Sequence, residues 1–332
     1  MSAVLGERNG IATTRPIIYL LLWLLATPTL SSLAAAPLRV VTTVAPITDF
    51  TRQVGDTTID LHGLIPQGVN SHTFQPTPRD VRYLAVADVV ILNGLYLEIP
   101  TEKLARSSGK AGVTILKLGD EAIRREAWVF DASFPESQGY PNPHLWLNAA
   151  HAMTYTTLIR DQLSLLAPEH KRFYHHQAAK YLRRLARLDR CVAATIATIP
   201  TAQRQLLTYH DSWPYFAQRY GMRVIGAVQP ASFSEPSARG VVRLMRQLQQ
   251  AKIPAIFGSA VFPSKVLEKI AAETGVQYVD ALRDDELPGE PGDAEHSYIG
   301  MMLVNVKAIV TALGGSPAEL VSCSASLLSK KD

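Results

Sequence analysis

Four side chains able to bind a transition metal stand at near-regular intervals along the chain. His72 lies in Gly68-Val69-Asn70-Ser71-His72-Thr73-Phe74-Gln75-Pro76 and His144 in Pro141-Asn142-Pro143-His144-Leu145-Trp146-Leu147. His210 lies in Leu207-Thr208-Tyr209-His210-Asp211-Ser212-Trp213, and Asp280 in Tyr278-Val279-Asp280-Ala281-Leu282. Successive separations are 72, 66 and 70 residues. Three imidazoles and one carboxylate suit Zn²⁺, which is commonly four-coordinate with nitrogen and oxygen donors. Spacing this long is far less specific than CxxC or HExxH, so spacing alone leaves each histidine open to an ordinary surface or hydrogen-bonded role.

Such residues need a scaffold that brings distant strand ends together. Leu38 to Val44, Ile59 to Ile65 and Asp88 to Leu92 are apolar, β-branched runs, with helical patterns at Ile47 to Val54 and Pro78 to Ala87 between them. The rhythm returns at Gln205 to Tyr209, Arg223 to Val228, Ala255 to Gly258 and Val276 to Val279, with helices expected from near Ser212, Ser237 and Pro263. Alternating strands and helices predict an α/β fold of two (β/α) lobes with mainly parallel sheets. In such sheets ligands bind beyond the carboxyl ends of the strands, where His210 and Asp280 are expected to sit and where the turns carrying His72 and His144 would open. Between the lobes, Pro168 opens a helical pattern that runs to just before Pro200; Tyr174, Ala178, Tyr181, Leu185, Leu188, Val192, Ile196 and Ile199 form one apolar stripe with no glycine to interrupt it. That predicts a rigid helix joining the lobes, and the spacing is compatible with the four side chains meeting in a cleft between them. The expected segments are an export signal at 1–36, an N-terminal α/β lobe at 37–166, a linking helix at 167–200 and a C-terminal α/β lobe at 201–332.

The local motifs resemble those of the periplasmic solute-binding proteins of zinc and manganese ABC transporters (cluster A-I). Asn70-Ser71-His72-Thr73-Phe74-Gln75-Pro76-Thr77-Pro78 is similar to that family's DPHxYEPTP-like segment, and Asn142-Pro143-His144-Leu145-Trp146-Leu147-Asn148 to DPHIWLD. Ala87-Asp88-Val89-Val90-Ile91-Leu92-Asn93-Gly94-Leu95 resembles its ADLVVYNGL-like strand and turn, and Thr208-Tyr209-His210-Asp211-Ser212-Trp213-Pro214-Tyr215-Phe216 its THDAFxYF segment. Glu235-Pro236-Ser237 and Ser297-Tyr298-Ile299-Gly300-Met301-Met302 resemble its EPS turn and YxDMM helix. The resemblance implies a non-enzymatic carrier that binds one divalent metal through His72, His144, His210 and Asp280 and delivers it, as a monomer, to a membrane permease driven by an ATPase. Histidine at the third position tilts the metal toward zinc, with Mn²⁺ or Fe²⁺ as the alternatives, since manganese favours more oxygen donors. The chain departs from the pattern where Asn70 and Asn142 replace aspartates and Gly300 replaces another. The region Asp120 to Tyr140 contains no histidine, which excludes a histidine-rich collecting loop. Affinity is expected to fall as pH drops through about 6.5, the ordinary imidazole pKa.

A competing reading is a secreted zinc hydrolase, but catalysis needs an open coordination position and a nearby base, and no HExxH-like base is present. Among the other candidates, Glu235 is best read as a turn or helix-start residue, His62 and His151 as surface or capping residues, and Asp211 as a group that orients His210 or caps the next helix. Composition narrows the field further. With 47% hydrophobic and 19% charged residues in 332, the chain is neither disordered nor a multi-span membrane protein. A net charge of +4, without basic residues interleaved with aromatics, argues against a nucleic-acid partner. Arg8 and Arg15 precede an apolar stretch from Pro16 to Ala26, and the segment ends in Ala34-Ala35-Ala36. That is the order of a signal peptide cleaved near residues 34–36, with no cysteine at the junction for a lipid anchor, so a periplasmic location is expected. Export allows Cys191 and Cys323 to form a disulfide, although sequence gives no distance between them.

Overall fold

The structure is a computed structural model that describes residues 10, 36–229, 237–262 and 264–328. The expected signal segment, apart from residues 10 and 36, and Glu235 lie outside the described residues. Two four-stranded sheets carry the architecture. The first half runs β1 (Leu38–Thr42), α1 (Ala45–Gly55), β2 (Ile59–Gly63), α2 (Pro78–Val86), β3 (Val89–Leu92), α3 (Ile99–Ser108), β4 (Thr114–Lys117), α4 (Leu118–Ala122) and α5 (Ala149–Leu166). After α6 (Lys171–Ile196), the second half runs β5 (Gln205–His210), α7 (Pro214–Tyr220), β6 (Arg223–Gln229), α8 (Ala238–Ala251), β7 (Ala255–Ser259), α9 (Lys265–Thr274), β8 (Gln277–Leu282), α10 (Tyr298–Ala312) and α11 (Ala318–Leu328). The sheet orders are β2-β1-β3-β4 and β6-β5-β7-β8, with every pairing parallel. Both orders reverse direction beside the first strand of the sheet, and the crevice at such a reversal is where open α/β sheets take ligands.

The apolar runs form strands because helices cover both faces: all four residues of β3 are buried. Sequence reading omits β4, whose four residues are only half-buried and follow the left-handed turn at Gly112. The linking helix is also shorter than expected. Residues Pro168–His170 form a separate 3₁₀ turn, and α6 spans 26 residues, about 39 Å at 1.5 Å per residue.

Rather than a bare strut, α6 is a buried spine. Tyr174, Tyr181, Leu185, Leu188, Val192 and Ile196 belong to one apolar cluster that also takes in Val40 and Ile91 from the first sheet and Leu206 and Phe257 from the second. Polar ties hold the spine in place. Asp189 receives the guanidinium of Arg219 and the hydroxyl of Tyr220, and Arg184 donates to the carbonyl of Leu327. Cys191 on α6 is disulfide-bonded to Cys323 on α11, with their Cα atoms 6.6 Å apart. At the start of α10, the Tyr298 amide donates to buried Asp49 on α1 at 2.9 Å. Gly300 has a local cause: a Cβ there would lie 2.0 Å from the Glu295 carbonyl oxygen, where the preceding loop crosses the helix.

Candidate metal centre

His72 sits in a tight turn after β2. The Asn70 side chain accepts the His72 amide at 2.9 Å, a local cap that an aspartate would also provide. Upstream, the Gly68 amide donates to Glu286 at 2.6 Å, tying this loop to the loop after β8. Downstream, Thr77 and Asp80 form a capping box that starts α2. His144 immediately precedes the 3₁₀ turn Leu145–Leu147 and is fully buried. The carbonyl before it, on Pro143, accepts from Asn93 at 3.0 Å, and Asn93 in turn accepts from the Tyr155 hydroxyl at 2.7 Å. Asn93 leads the turn after β3, whose amides at Asn93 and Gly94 both donate to buried Glu98. His210 is the last residue of β5, 9% exposed.

Two loops and the end of β5 bring the imidazoles together. His72 Nε2 lies 3.1 Å from His144 Nε2, and His210 Nε2 lies 3.2 Å from the same atom. Each histidine offers one ring nitrogen, and the three nitrogens fall within 4.8 Å of one another. Among the described residues this is the one such group of histidine, cysteine and carboxylate donors. Phe134 and Trp146 wall it, with ring centroids 6.1 and 5.2 Å from that of His144. Burial, then the neighbouring His210, holds His72 well below the ordinary imidazole value, and the same causes with His72 added act on His144. His210 is lowered by burial, with Asp284 and Asp131 opposing. Neutral imidazoles with their Nε2 atoms converging are electron-pair donors aimed at one point.

Asp280 is not part of this group. The register with β7 shifts between Phe257 and Ser259, so β8 continues to Leu282, and Asp280 falls on an exposed position inside the strand instead of at its end. Two other carboxylates, Asp284 and Asp285, lie just beyond the strand end and share a small cavity with His72 and His210. With Asn70, His72, His210 and Ser259 they border a cavity of about 20 Å³, the size of one ion or water. Asp285 is pushed well above the usual carboxylate range by burial and by Asp284. The Asp284 backbone carbonyl accepts the Trp146 indole N–H. A much larger cavity of about 690 Å³ lies between β8, α10 and α11, is mostly apolar and contains none of these groups.

Sequence reasoning marks Asn142 as the replacement of an aspartate and places Phe134 and Asp131 in an aromatic, acidic segment, but gives none of them a contact at the site. The histidine-free segment that reads as a plain loop closes over the site: Asp131 accepts from the side-chain amide of Asn142 at 2.8 Å, and Asn142 accepts from His144 Nδ1 at 2.8 Å. Asp211 lies against Asp131, and burial and that second carboxylate push it up to about 7. Its carbonyl oxygen accepts from Asn142 at 2.6 Å. The remaining histidines stay apart from the centre. His62 stacks on Tyr83, His151 lies edge-on to Tyr215, and His296 donates through Nδ1 to the Pro288 carbonyl at 3.1 Å.

Residues 40–312 match the family described as the periplasmic component A of the zinc-uptake complex, ZnuA. The chain belongs to this family. Members of the ZnuA family are solute-binding proteins and not enzymes, which removes the hydrolase alternative. The chain is 27% identical over 286 residues to the manganese ABC transporter substrate-binding lipoprotein PsaA of Streptococcus anginosus, covering 83% of this chain and 89% of that protein. It is 28% identical over 281 residues to the iron-binding protein YfeA of Yersinia pestis, covering 84% and 88%. The structure of the periplasmic zinc binding protein TroA from Treponema pallidum superposes with a TM-score of 0.75 at 29% identity, covering 83% of this chain and 99% of that one. This ZnuA-family chain is thus the metal-binding, substrate-binding component of an ABC transporter.

Proposed function

We infer that the chain captures one zinc ion in the periplasm through His72, His144 and His210, with Asp284 as the fourth donor, and hands it to the transporter's membrane permease. The observation that carries this reading is the convergence of three imidazole Nε2 atoms, two of whose rings, His72 and His210, also line a cavity the size of one ion. Three nitrogen donors and one carboxylate favour zinc over manganese, which prefers oxygen-rich, six-coordinate sites. All four donors come from one chain, so a monomer suffices. Asp284 is preferred to Asp285 because its charge acts on His210, whereas burial and Asp284 push Asp285 well above the usual carboxylate range and an ionised carboxylate is the ligand form.

Competitive titration with Zn²⁺ and Mn²⁺, on wild type and on Asp284→Ala, Asp285→Ala and Asp280→Ala, tests the assignment. Asp284→Ala should lower zinc affinity by far more than Asp280→Ala, which should leave it within about threefold of wild type. Stoichiometric manganese binding that zinc fails to displace would overturn the choice of metal. Equal losses at positions 280 and 284 would overturn the choice of donor.

A further inference from the structure

His144 can serve the site only if its proton is on Nδ1, leaving the Nε2 lone pair free to face His72 and His210. Nothing in the imidazole itself fixes that tautomer; its partner must. The partner is the side-chain amide of Asn142, which can be turned over so that oxygen and nitrogen exchange places. Its orientation is decided by its other contacts. On one side the His144 backbone N–H, which can only donate, points at Asn142 Oδ1 at 3.1 Å. On the other side are two groups that can only accept from it: Asp131 Oδ2 at 2.8 Å and the Asp211 carbonyl at 2.6 Å. Asp131 is itself held, because its Oδ1 accepts the amides of Ser133 at 3.0 Å and Phe134 at 2.9 Å.

We propose that Asp131 is a positioning residue for metal capture: acting through Asn142, it fixes the His144 tautomer that presents Nε2 to the metal. This rests on the three-histidine reading above. It also explains how an asparagine serves beside His144. An aspartate at 142 would set a carboxylate against Asp131 and the Asp211 carbonyl with no N–H for either, so here the carboxylate stands one residue further out and the amide relays its effect.

The consequence of Asp131→Asn follows from the same contacts. The new carbonyl oxygen stays with the Ser133 and Phe134 amides, which turns its NH₂ toward Asn142 Nδ2, donor against donor. Turning Asn142 over relieves that clash but gives up its contacts with the His144 N–H and the Asp211 carbonyl, so neither orientation is well held, and the turned one presents an NH₂ to His144 Nδ1 and drives the ring proton onto Nε2, the atom that must bind metal. In Asp131→Asn with Asn142→Asp the contact to His144 is restored, at the cost of the donor to the Asp211 carbonyl: the amide introduced at position 131 donates to the carboxylate introduced at position 142, which accepts from His144 Nδ1.

The test uses the full metal-free chain labelled with ¹⁵N-histidine. Two-bond ¹H–¹⁵N correlation reads which ring nitrogen of His144 is protonated, and His144→Gln supplies the assignment; zinc affinity is measured in parallel by competition with a chelating dye. Wild type should show the Nδ1–H form. D131N should shift His144 toward Nε2–H and weaken zinc binding by about 10- to 100-fold, the usual cost of losing a group that orients a ligand. The double variant should recover the Nδ1–H form and bind zinc more tightly than D131N. Retention of the Nδ1–H form in D131N, or a double variant as weak as D131N, overturns the proposal. If D131N alone does not fold, the double variant still decides by its tautomer and affinity. A tautomer shift in a protein that binds no zinc would sustain the role of Asp131 while refuting the metal-site reading.

Discussion

Lowering the pH of a zinc titration from about 7.5 to about 5.5 compares this cluster with three ordinary imidazoles. A histidine with a pKa near 6.5 goes from roughly nine-tenths neutral to roughly one-tenth neutral over that interval, so proton competition costs about tenfold in affinity per ligand and about a thousandfold for three. In this chain burial depresses all three, His72 and His144 strongly. The folded protein therefore takes up these protons only at lower pH than an unfolded chain does. Affinity should hold nearly level through pH 6.5, and the loss by pH 5.5 should fall well short of a thousandfold, a later decline than the sequence alone suggests. Stability carries the opposite face of the same linkage. Because the folded-state values are lowered, the unfolded chain binds protons first as pH falls below about 6.5, and the metal-free protein should lose stability from there downward. Isothermal competition titration and thermal melts of the metal-free protein at matched pH provide the two readouts. A thousandfold fall in affinity that starts at pH 6.5, with metal-free stability flat across the same range, would refute the reasoning.

Two further outcomes test the scaffold. Closing the 132-residue span between Cys191 and Cys323 stabilises by at most about 5 kcal/mol in the chain-entropy account. Because α11 buries few side chains and can peel away locally, Cys323→Ser should lower the melting temperature by less than that figure implies while zinc affinity is retained. A lost zinc site in the folded Cys323→Ser protein would contradict this. Glu98 accepts from Thr43, Asn93 and Gly94 in the turn that supports His144, and burial pushes it up to about 7. A raised carboxyl pKa contributes stability at low pH that is lost as pH rises from about 4.5 to about 7, here roughly 3 kcal/mol. Glu98→Ala should abolish that pH dependence in urea unfolding and, by stranding three buried donors, destabilise by about 3 kcal/mol or more near pH 5. An unchanged slope of stability against pH would show that Glu98 is not the group responsible.

The parts of the site legible in the sequence are those that obey local rules. His210 is readable as a strand end because Gln205 to His210 is an apolar run that meets Asp211-Ser212 and then Pro214, which opens a helix. The α6 spine is readable because its stripe keeps helical spacing over 26 residues. What escaped depends on tertiary register. The end of β8 is set by an irregularity in its pairing with β7, and two extra strand residues leave Asp280 on an exposed position while Asp284 and Asp285 line the small cavity beside His72 and His210. The roles of Asp131 and Asn142, eleven residues apart, likewise appear only when the intervening chain folds back so that their side chains meet. The cysteines could be paired only once α11 was seen to return against α6.

The same contacts constrain how a bound ion can leave. One apolar cluster runs through both sheets and the spine between them, so the two halves do not meet across a bare hinge. Opening them as rigid bodies would break the bonds from Gly68 to Glu286 and from Asn142 to the Asp211 carbonyl, and the apolar cluster would have to part as well. Each buried group left without a partner costs about 1–3 kcal/mol. Moving the His72 loop alone breaks only the first of these, because His72 is anchored locally by Asn70 and its loop runs between β2 and the capped start of α2. His144 is held by Asn93, Asn142 and the aromatic wall, and His210 by the sheet itself. Of the three imidazoles, His72 is therefore the one whose withdrawal disturbs the least structure, and release by a permease is cheapest where it pulls on the loop between β2 and α2.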